Sequence, residues 1–384
     1  MKKICVVITA RPSYSRIKSV LSAINENPNL ELQLILGASA LLERYGSVID
    51  TIKQDGFNPN EIIHMVIEGG DLSTSAKSTG LGIIELSTAF NNLKPDIVLT
   101  VADRFETIAT AIAASYSNIP LAHVQGGEIS GSIDEKVRHA VSKLSDIHFV
   151  ATEKSKERLI KMGESMESVF LTGCPSIDIV KNVVEHSLFK NFDPFDSYGG
   201  VGGKFDSQSG YIVVLQHPVT TEYNDITFQI EQTLSAIQKI NYPTFWFWPN
   251  VDAGSDKISK SIRNHRENKD LENVYFLKNI SPEDFIKLMV NAKCLIGNSS
   301  AGIRECSYIG TPVVNIGNRQ LGREKGLNVL DSEYDWSTIL QSTEKQMSND
   351  RYPQNNLYGD GSAGIKISKL LEEQSPSIYK KLSY

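Results

Sequence analysis

The amino-acid sequence predicts an α/β protein in which doubly wound parallel sheets are covered by helices on both faces. Short apolar runs alternate with longer segments of helical periodicity along most of the 384 residues, and this alternation is typical of βαβ units. The first run, 4–9, is continuous and rich in β-branched residues, as expected of a central strand buried on both faces. Polar residues follow many of these runs, at the strand ends where such sheets bind ligands.

The first half of the chain contains seven predicted strands. They lie at 4–9, 31–36, 62–67, 96–101, 119–124, 147–151 and 169–172. Apolar residues at helical spacing predict helices over 17–24, near 48, and over 75–93, 136–144 and 153–162. We therefore expect residues 1–175 to form one Rossmann-like domain.

A segment rich in Gly, Asp and Ser, 189–210, reads as a flexible loop or an inter-domain insertion. Its GGVGGK sequence does not fit a phosphate-binding loop, because Phe205 stands where Ser or Thr should follow the lysine. The alternation then resumes with predicted strands at 211–216, 244–248, 274–277, 294–296 and 312–316, and with helices near 228–240 and 257–265 and at 282–290 and 300–309. This predicts a second Rossmann-like domain over 176–362. A short C-terminal helix within 363–384 is expected to pack back on the first domain.

The composition excludes several classes of function. A net charge of -6 without a basic tract argues against a general nucleic-acid binder. No apolar run approaches the length that spans a membrane, and the first one is too short for a signal peptide. The four cysteines form no C-x-x-C pair, so neither a zinc site nor a disulfide framework is predicted. We expect a soluble, cytoplasmic protein that holds no metal.

Polar side chains gather after the predicted strands of both halves. Because the carboxyl ends of parallel strands share one edge of a sheet, each half should present one polar edge. Two such edges facing each other make a cleft between domains, in which a substrate is held from both sides. The candidates are Arg11, Ser13, Ser15, Asp103, Arg104, His123, Gln125 and Glu128 in the first half, and Gln216, His217, Asn298, Ser299, Ser300 and Arg319 in the second.

The segment 123–139, HVQGGEISGSIDEKVRH, concentrates two histidines, an arginine, a glutamine, three carboxylates and three glycines in one strand-to-helix turn. This composition is typical of an α/β active site. Ser132 and Glu135 also fit the S-x-x-E capping box, in which a carboxylate serves only the helix N-terminus. On this segment alone both interpretations stay open.

The segment 297–305, GNSSAGIRE, predicts an anion site. Asn298 or Ser299 can cap the helix that follows, and amides, hydroxyls and the helix dipole together suit a phosphate. Glu305 lies one to two turns along that helix, where a carboxylate can accept hydrogen bonds from ribose hydroxyls. A nucleophile elbow is excluded, because Ala301 stands where G-x-S-x-G requires glycine. No G-x-G-x-x-G follows the first strand, which argues against a dinucleotide cofactor.

With these residues in view, the sequence resembles the UDP-N-acetylglucosamine 2-epimerases, specifically the hydrolysing branch that feeds sialic-acid-type sugars such as legionaminic acid. The matching motifs cover the chain from the first strand nearly to its end. They are ADRFE at 102–106, HVQGGEISGSIDEKVRHA at 123–140, GCPSID at 173–178, LQHPVTTE at 215–222, PNVDAGS at 249–255, IGNSSAGIRE at 296–305 and GTPVVNIGNRQLGRE at 310–324.

The resemblance implies a GT-B-like architecture, with two doubly wound Rossmann-like domains and the active site in the cleft between them. It places the sugar and the catalytic carboxylates on the N-terminal domain and UDP on the C-terminal domain. It also implies the reaction: a UDP-HexNAc loses UDP by elimination across C1 and C2, and water adds to the 2-acetamidoglucal. The products are the free 2-epimeric sugar and UDP. No cofactor is implied, and a homodimer or homotetramer is the family expectation.

The resemblance assigns roles to residues by matching positions. The catalytic candidates are Asp103, Asp134, Glu128, Gln125 and His217. The substrate-binding candidates are Arg11, Ser15, Arg104, Arg138, His139, His217, Ser299, Ser300, Gly302, Glu305 and Arg319. A metal is not implied, since these cationic side chains can neutralise the diphosphate.

Two positions depart from the family pattern. Many members carry Glu where this chain has Gln125, and an amide cannot act as a base or an acid. Proton transfer then falls on the remaining carboxylates. The first loop reads Arg11-Pro12-Ser13 where the family usually has Arg-x-Asp/Glu, which suits a modified sugar such as a 2,4-diacetamido-2,4,6-trideoxy hexose. The alternatives are a non-hydrolysing 2-epimerase, a UDP-sugar glycosyltransferase of GT-B architecture and a non-catalytic sugar-binding protein.

Overall fold

The chain forms two compact units, each built on a seven-stranded sheet. The computed structural model describes residues 1–42, 48–67, 71–131, 133–249 and 252–383, without the side chains of Arg11 and Phe105. The first unit comprises Met1–Glu128, Ile133–Ile179 and Tyr358–Tyr384, and the second comprises Ile129–Ser132 and Val180–Leu357. The boundary drawn from the sequence at 175/176 is four residues from the one between Ile179 and Val180.

The sheet of the first unit is parallel throughout, with the strand order β3-β2-β1-β4-β5-β6-β7. Its strands are β1 (Lys2–Ile8), β2 (Leu30–Gly37), β3 (Glu61–Ile63), β4 (Ile97–Val101), β5 (Leu121–Val124), β6 (Ile147–Val150) and β7 (Val169–Leu171). Its helices are α1 (Arg11–Ser15), α2 (Lys18–Asn25), α3 (Val48–Gln54), α4 (Leu72–Leu93), α5 (Phe105–Tyr116), α6 (Ile133–Leu144), α7 (Glu153–Lys161) and α8 (Pro175–Glu185).

The sheet of the second unit has the order β14-β13-β12-β9-β10-β11-β8, in which only β8 is antiparallel. Its strands are β8 (Gly200–Gly202), β9 (Ile212–Leu215), β10 (Thr244–Phe247), β11 (Val274–Leu277), β12 (Cys294–Gly297), β13 (Val313–Ile316) and β14 (Val329–Ser332). The helices that follow α8 are α9 (Pro194–Ser197), α10 (Ile226–Ile240), α11 (Ser255–Glu267), α12 (Pro282–Asn291), α13 (Ser300–Ile303), α14 (Glu305–Ile309), α15 (Trp336–Met347) and α16 (Ala363–Glu373).

The two sheets share the Rossmann strand order, counted from β1 in the first unit and from β9 in the second. The central strands are fully buried, as β4 and β5 illustrate, because helices cover both faces of each sheet. In both units the strand order reverses beside the first strand, between β1 and β4 and between β9 and β12. The predicted α/β class with two parallel sheets is confirmed.

Several elements differ from the sequence expectation. The Gly- and Asp-rich segment 189–210 contains α9 and the edge strand β8, whose three residues pair with β11. The strand expected over 62–67 has only the three residues Glu61–Ile63. The single helix expected over 300–309 is two short helices, α13 and α14. Among the described residues no helix is both long and apolar enough to span a membrane.

The C-terminal helix α16 belongs to the first unit, where side chains from distant parts of the chain bind both of its ends. The Asp178 carboxylate accepts hydrogen bonds from the backbone N–H groups of Ala363 at 3.0 Å and Gly364 at 2.7 Å. At the other end the Lys2 ammonium donates to the carbonyl oxygens of Leu371, Glu372 and Gln374 at 2.7–2.9 Å. A negative charge at the N-terminus and a positive charge at the C-terminus of a helix both stabilise it.

We predict that Asp178→Ala lowers the free energy of unfolding by about 1–2 kcal/mol, because two N–H groups of α16 lose their acceptor. Urea denaturation followed by circular dichroism measures this change. Asp360→Ala is the matched control, since Asp360 is bound only at the surface of the same segment, to Lys366 and Ser362. An equal loss in both variants would contradict the capping role of Asp178.

Candidate active site

A buried arginine organises the polar side chains at the carboxyl ends of β4 and β5. Arg138, on α6, is 1% exposed, and its Nη2 pairs with Oδ2 of Asp103, the second residue after β4. Its Nη1 donates to the carbonyl oxygen of Glu128 at 2.8 Å. Arg16 Nη1 lies 3.9 Å from Asp103 Oδ1. The Asp103 carboxylate is thus bound by two guanidinium groups.

Arg104, a substrate-binding candidate, is paired within the first unit. Its Nε lies 3.3 Å from Oε2 of Glu106, which is fully buried in the first turn of α5. A buried carboxylate needs such a partner, because removing a charge from water is costly unless the charge is paired. Glu106 was not among the candidates chosen from the sequence, because a spacing of two residues does not by itself indicate a pair.

Gln125 is buried, and its side chain contacts Cys174 inside the first unit. Its backbone has a positive φ of 67°, and its Nε2 lies 2.9 Å from the Cys174 sulfur. That sulfur also lies 3.0 Å from Ser176 Oγ. The amide therefore acts as a hydrogen-bond donor here, which an ionised carboxylate could not do. Cys174 was not among the site candidates.

The N-terminal part of α6 carries the other predicted carboxylates. Asp134 lies four residues before Arg138, so the two residues share one face of the helix. Glu135 Oε1 lies 3.5 Å from His139 Nε2 at the same spacing. Burial lowers the pKa of His139, and the neighbouring Arg138 lowers it further. The capping box proposed for Glu135 involves Ser132, which lies outside the described residues.

In the second unit one asparagine joins three loops at the carboxyl edge of the sheet. Asn298 is fully buried directly after β12. Its Oδ1 accepts from the His217 N–H, and its Nδ2 donates to the His217 carbonyl oxygen, both at 2.8 Å. Its own carbonyl oxygen accepts from Gln320 Nε2 at 2.8 Å and from Arg319 Nη1 at 3.2 Å. Asn298 thereby fixes the predicted site residues His217 and Arg319.

The predicted phosphate segment 297–305 has a different backbone from the one expected. Ser299 caps α13 by accepting a hydrogen bond from Ala301 N–H at 3.3 Å. The helix is then interrupted at Arg304, so α13 and α14 have only four and five residues. A long helix dipole is therefore absent from this segment, and the expectation of one helix over 300–309 was wrong. Arg304 Nη2 instead donates to Ser300 Oγ at 2.7 Å. Its position four residues after Ser300 was the available sequence signal for this pair.

The remaining candidates lie in different surroundings. Ser15 Oγ donates to the carbonyl oxygen of Pro12 within α1, and the side chain of Arg11 lies outside the described part of the structure. A methyl group at Gly302 would lie 2.8 Å from Val313 Cγ1, so this glycine lets α13 approach β13. Glu305 is buried at the start of α14. Within the described ranges no group of three or more His, Cys, Asp or Glu side chains could hold a metal ion.

The two sheets of Rossmann order define an α/β protein of GT-B-like architecture, with polar residues at the carboxyl edge of each sheet. The family model described as UDP-N-acetylglucosamine 2-epimerase matches residues 22–372. The chain belongs to this family and is an enzyme of it, which confirms the resemblance carried by the motifs.

Individual relatives are similar over most of their length. The chain is 33% identical over 372 residues to the UDP-N,N'-diacetylbacillosamine 2-epimerase (hydrolyzing) of Legionella pneumophila, with 97% of this chain and 96% of the relative covered. It is 31% identical over 335 residues to the GDP/UDP-N,N'-diacetylbacillosamine 2-epimerase (hydrolyzing) of Campylobacter jejuni, with 86% and 84% covered. The crystal structure of UDP-GlcNAc 2-epimerase from Neisseria meningitidis bound to UDP-GlcNAc has the same fold. Its TM-score is 0.75 at 17% identity, with 97% of this chain and 100% of that chain covered.

We predict that Asn298→Ala lowers the free energy of unfolding by about 1–3 kcal/mol, because a buried N–H and a buried carbonyl group of His217 lose their partners. Chemical denaturation followed by fluorescence measures the loss. Asn315→Ala is the control. Asn315 is also buried, in β13, but the one side-chain hydrogen bond described for it goes to the Asp331 side chain and not to a backbone group. Should Asn315→Ala cost as much as Asn298→Ala, the joining role of Asn298 would be wrong.

Proposed function

We propose that this protein is a hydrolysing UDP-HexNAc 2-epimerase, which converts a UDP-N-acetylhexosamine and water into the free 2-epimeric sugar and UDP. The substrate is UDP-N-acetylglucosamine or its 2,4-diacetamido-2,4,6-trideoxy analogue. We favour the analogue because the relatives at 33% and 31% identity are named for diacetylbacillosamine. The product is a ManNAc-type precursor of sialic-acid-like sugars, made in the cytoplasm by a homodimer or homotetramer without a cofactor.

One observation carries this proposal. The Asp103 carboxylate is bound by Arg138 and Arg16, in a chain one-third identical to a hydrolysing enzyme along nearly its whole length. The C2 proton of a hexosamine is very weakly acidic, so its removal needs a base held in a fixed position. The two guanidinium groups fix Asp103 and provide the counter-charge for its ionised form.

The reaction proceeds in two steps. In the first, a carboxylate takes the C2 proton while the bond between C1 and the UDP oxygen breaks, which yields the 2-acetamidoglucal and UDP. In the second, water adds its hydroxyl group to C1, and a proton is delivered to C2 from the opposite face. We assign the two proton transfers at C2 to Asp103 and Asp134, with Glu128 as a third candidate carboxylate. Gln125 takes no part in proton transfer, because an amide is neither an acid nor a base, and its Nε2 donates toward the Cys174 sulfur.

The UDP portion is assigned to the second unit. Ser300 Oγ accepts a hydrogen bond from Arg304, and we assign this serine to a phosphate oxygen. Arg319 and the backbone of His217 are held by Asn298, and we assign the Arg319 guanidinium and the His217 imidazole as cationic and N–H donors for the departing diphosphate. Glu305 offers a carboxylate to the ribose hydroxyls. The Neisseria meningitidis structure of the same fold is described as bound to UDP-GlcNAc, which supports a nucleotide-sugar ligand.

The test is to incubate the protein alone with each UDP-sugar in D₂O and to follow the products by NMR. We expect UDP and a free 2-epimeric sugar in equal amounts, with deuterium at C2. We also expect kcat/KM to be about tenfold or more higher for the diacetamido substrate, because an added polar contact discriminates at this level. A UDP-linked 2-epimer without net release of UDP would instead indicate the non-hydrolysing reaction. Release of UDP only with an added acceptor, and without deuterium at C2, would indicate a glycosyltransferase.

We predict that Asp103→Asn lowers kcat by about three orders of magnitude, because the amide cannot accept the C2 proton. UDP affinity, measured by calorimetry, should stay within about threefold, since the residues assigned to UDP are in the second unit. Asp96→Asn is the matched control at the other end of β4, where Asp96 accepts a hydrogen bond from the Lys3 N–H. Turnover close to wild type in Asp103→Asn would overturn the assignment.

A further inference from the structure

His123 is a buried imidazole that the proposed reaction does not use. It lies in β5 and is fully buried, and its Nε2 lies 2.8 Å from the carbonyl oxygen of Ala102. Its Nδ1 lies 3.2 Å from Ser142 Oγ on α6. Both ring nitrogens are therefore engaged inside the first unit, and the ring does not reach solvent.

The residue that His123 binds has an unusual backbone. Ala102 has a positive φ of 68°, in the left-handed region that side chains with a Cβ disfavour. Its N–H donates to the Val124 carbonyl oxygen at 3.0 Å, and its carbonyl oxygen faces His123. A conformation of this kind persists only where the surrounding structure holds it. Asp103 is the next residue, so the direction of its carboxylate depends on this turn.

The hydrogen-bonding partners define the state of the ring. A carbonyl oxygen only accepts, so Nε2 carries a proton, and the Ser142 hydroxyl can donate to Nδ1. Burial lowers the pKa of His123 to about 3, which keeps the imidazole neutral at physiological pH. The ring is therefore the Nε2–H tautomer, with one donor and one acceptor, each of which has a partner.

These contacts connect the Asp103 turn to α6 at two points, through His123 and through Arg138. Ser142 and Arg138 lie one helical turn apart on α6, and Arg138 binds the Asp103 carboxylate. The imidazole thus ties the turn that carries Asp103 to the same helix that carries its cation. Gly126 leaves the space for this arrangement, because a methyl group there would lie 2.9 Å from Ser142 Oγ and 3.0 Å from His123 Nδ1.

We propose that His123 is a positioning residue, which holds the Ala102 turn against α6 so that the Asp103 carboxylate meets Arg138 in the orientation needed for proton transfer. This inference rests on the proposed function of Asp103. It assigns His123 no contact with the substrate and no proton transfer. The neutral ring acts only by fixing the turn that follows the neighbouring strand β4.

Two substitutions separate this role from the alternatives. In His123→Gln the side-chain amide nitrogen can reach the place of Nε2 and still donate to the Ala102 carbonyl, but it cannot transfer a proton. In His123→Asn the side chain is too short to reach Ala102. We expect kcat of the Gln variant to stay within about threefold of wild type, and kcat of the Asn variant to fall about ten- to hundredfold, as small misplacements of a catalytic group do. KM should change less than about twofold in both.

Other outcomes overturn the inference. Equal inactivation of the Gln and Asn variants would mean that the imidazole itself is required, as for an acid or base. A kcat near wild type in a folded Asn variant would remove the positioning role. If the Asn variant does not fold, Ser142→Ala decides, with an expected fall in kcat of about threefold or more at unchanged KM. An unchanged kcat in Ser142→Ala would then overturn the inference.

The tautomer provides a readout independent of turnover. Nitrogen NMR of the ¹⁵N-labelled histidine rings at neutral pH should find His123 with a protonated Nε2 and an unprotonated Nδ1, and His123→Gln identifies the signal. A charged ring or an Nδ1–H tautomer would overturn the inference. If wild-type protein released no UDP from either sugar, the proposed function would fail, whereas this measurement would still test the contacts of His123.

Discussion

The ion pair between Arg138 and Asp103 is the interaction on which the rest of the first site depends. A guanidinium group that is 1% exposed is tolerated only when its charge and its N–H groups are matched, and Asp103 and the Glu128 carbonyl oxygen contribute to that match. These two partners follow different strands, β4 and β5. One buried side chain therefore sets the relative position of two loops. Asn298 does the same in the second unit without a charge, since its amide and carbonyl groups join the loops after β9, β12 and β13.

The elements that could be predicted are those marked by a short stretch of sequence, such as the buried central strands. The buried runs gave the central strands, and the polar residues behind them marked both carboxyl edges, because burial on two faces demands continuous apolar residues. The pairing of β8 with β11 joins residues far apart along the chain, and no local pattern reports it. The interruption of the helix at Arg304 was not predicted either. The same holds within the site. The motifs selected Arg104 as a substrate-binding candidate and Gln125 as a catalytic candidate. Their described partners, Glu106 and Cys174, are brought beside them by the three-dimensional arrangement.

Membership of the family defines the general chemistry, and Gln125 is a departure from the family pattern, in which a carboxylate is usual at this position. In this chain the amide donates toward a thiol sulfur inside the core. A carboxylate at this place would be desolvated and would face the sulfur without a proton to offer. The interior around Gln125 is thus adapted to a neutral side chain, and the proposed proton transfers are assigned to carboxylates on either side of it in the sequence.

The first unit is built from segments that are far apart along the chain, and this affects how the protein folds during synthesis on the ribosome. The chain leaves this unit at Ile179 and returns to it only at Tyr358, after the bulk of the second unit. The N-terminal sheet emerges before the second unit, but α16, whose two ends are bound by Asp178 and Lys2, is translated after it. The second unit can therefore finish folding during synthesis, while the first waits with the face beneath α16 uncovered. Nascent chains stalled before Tyr358 should consequently expose that apolar face to chaperones.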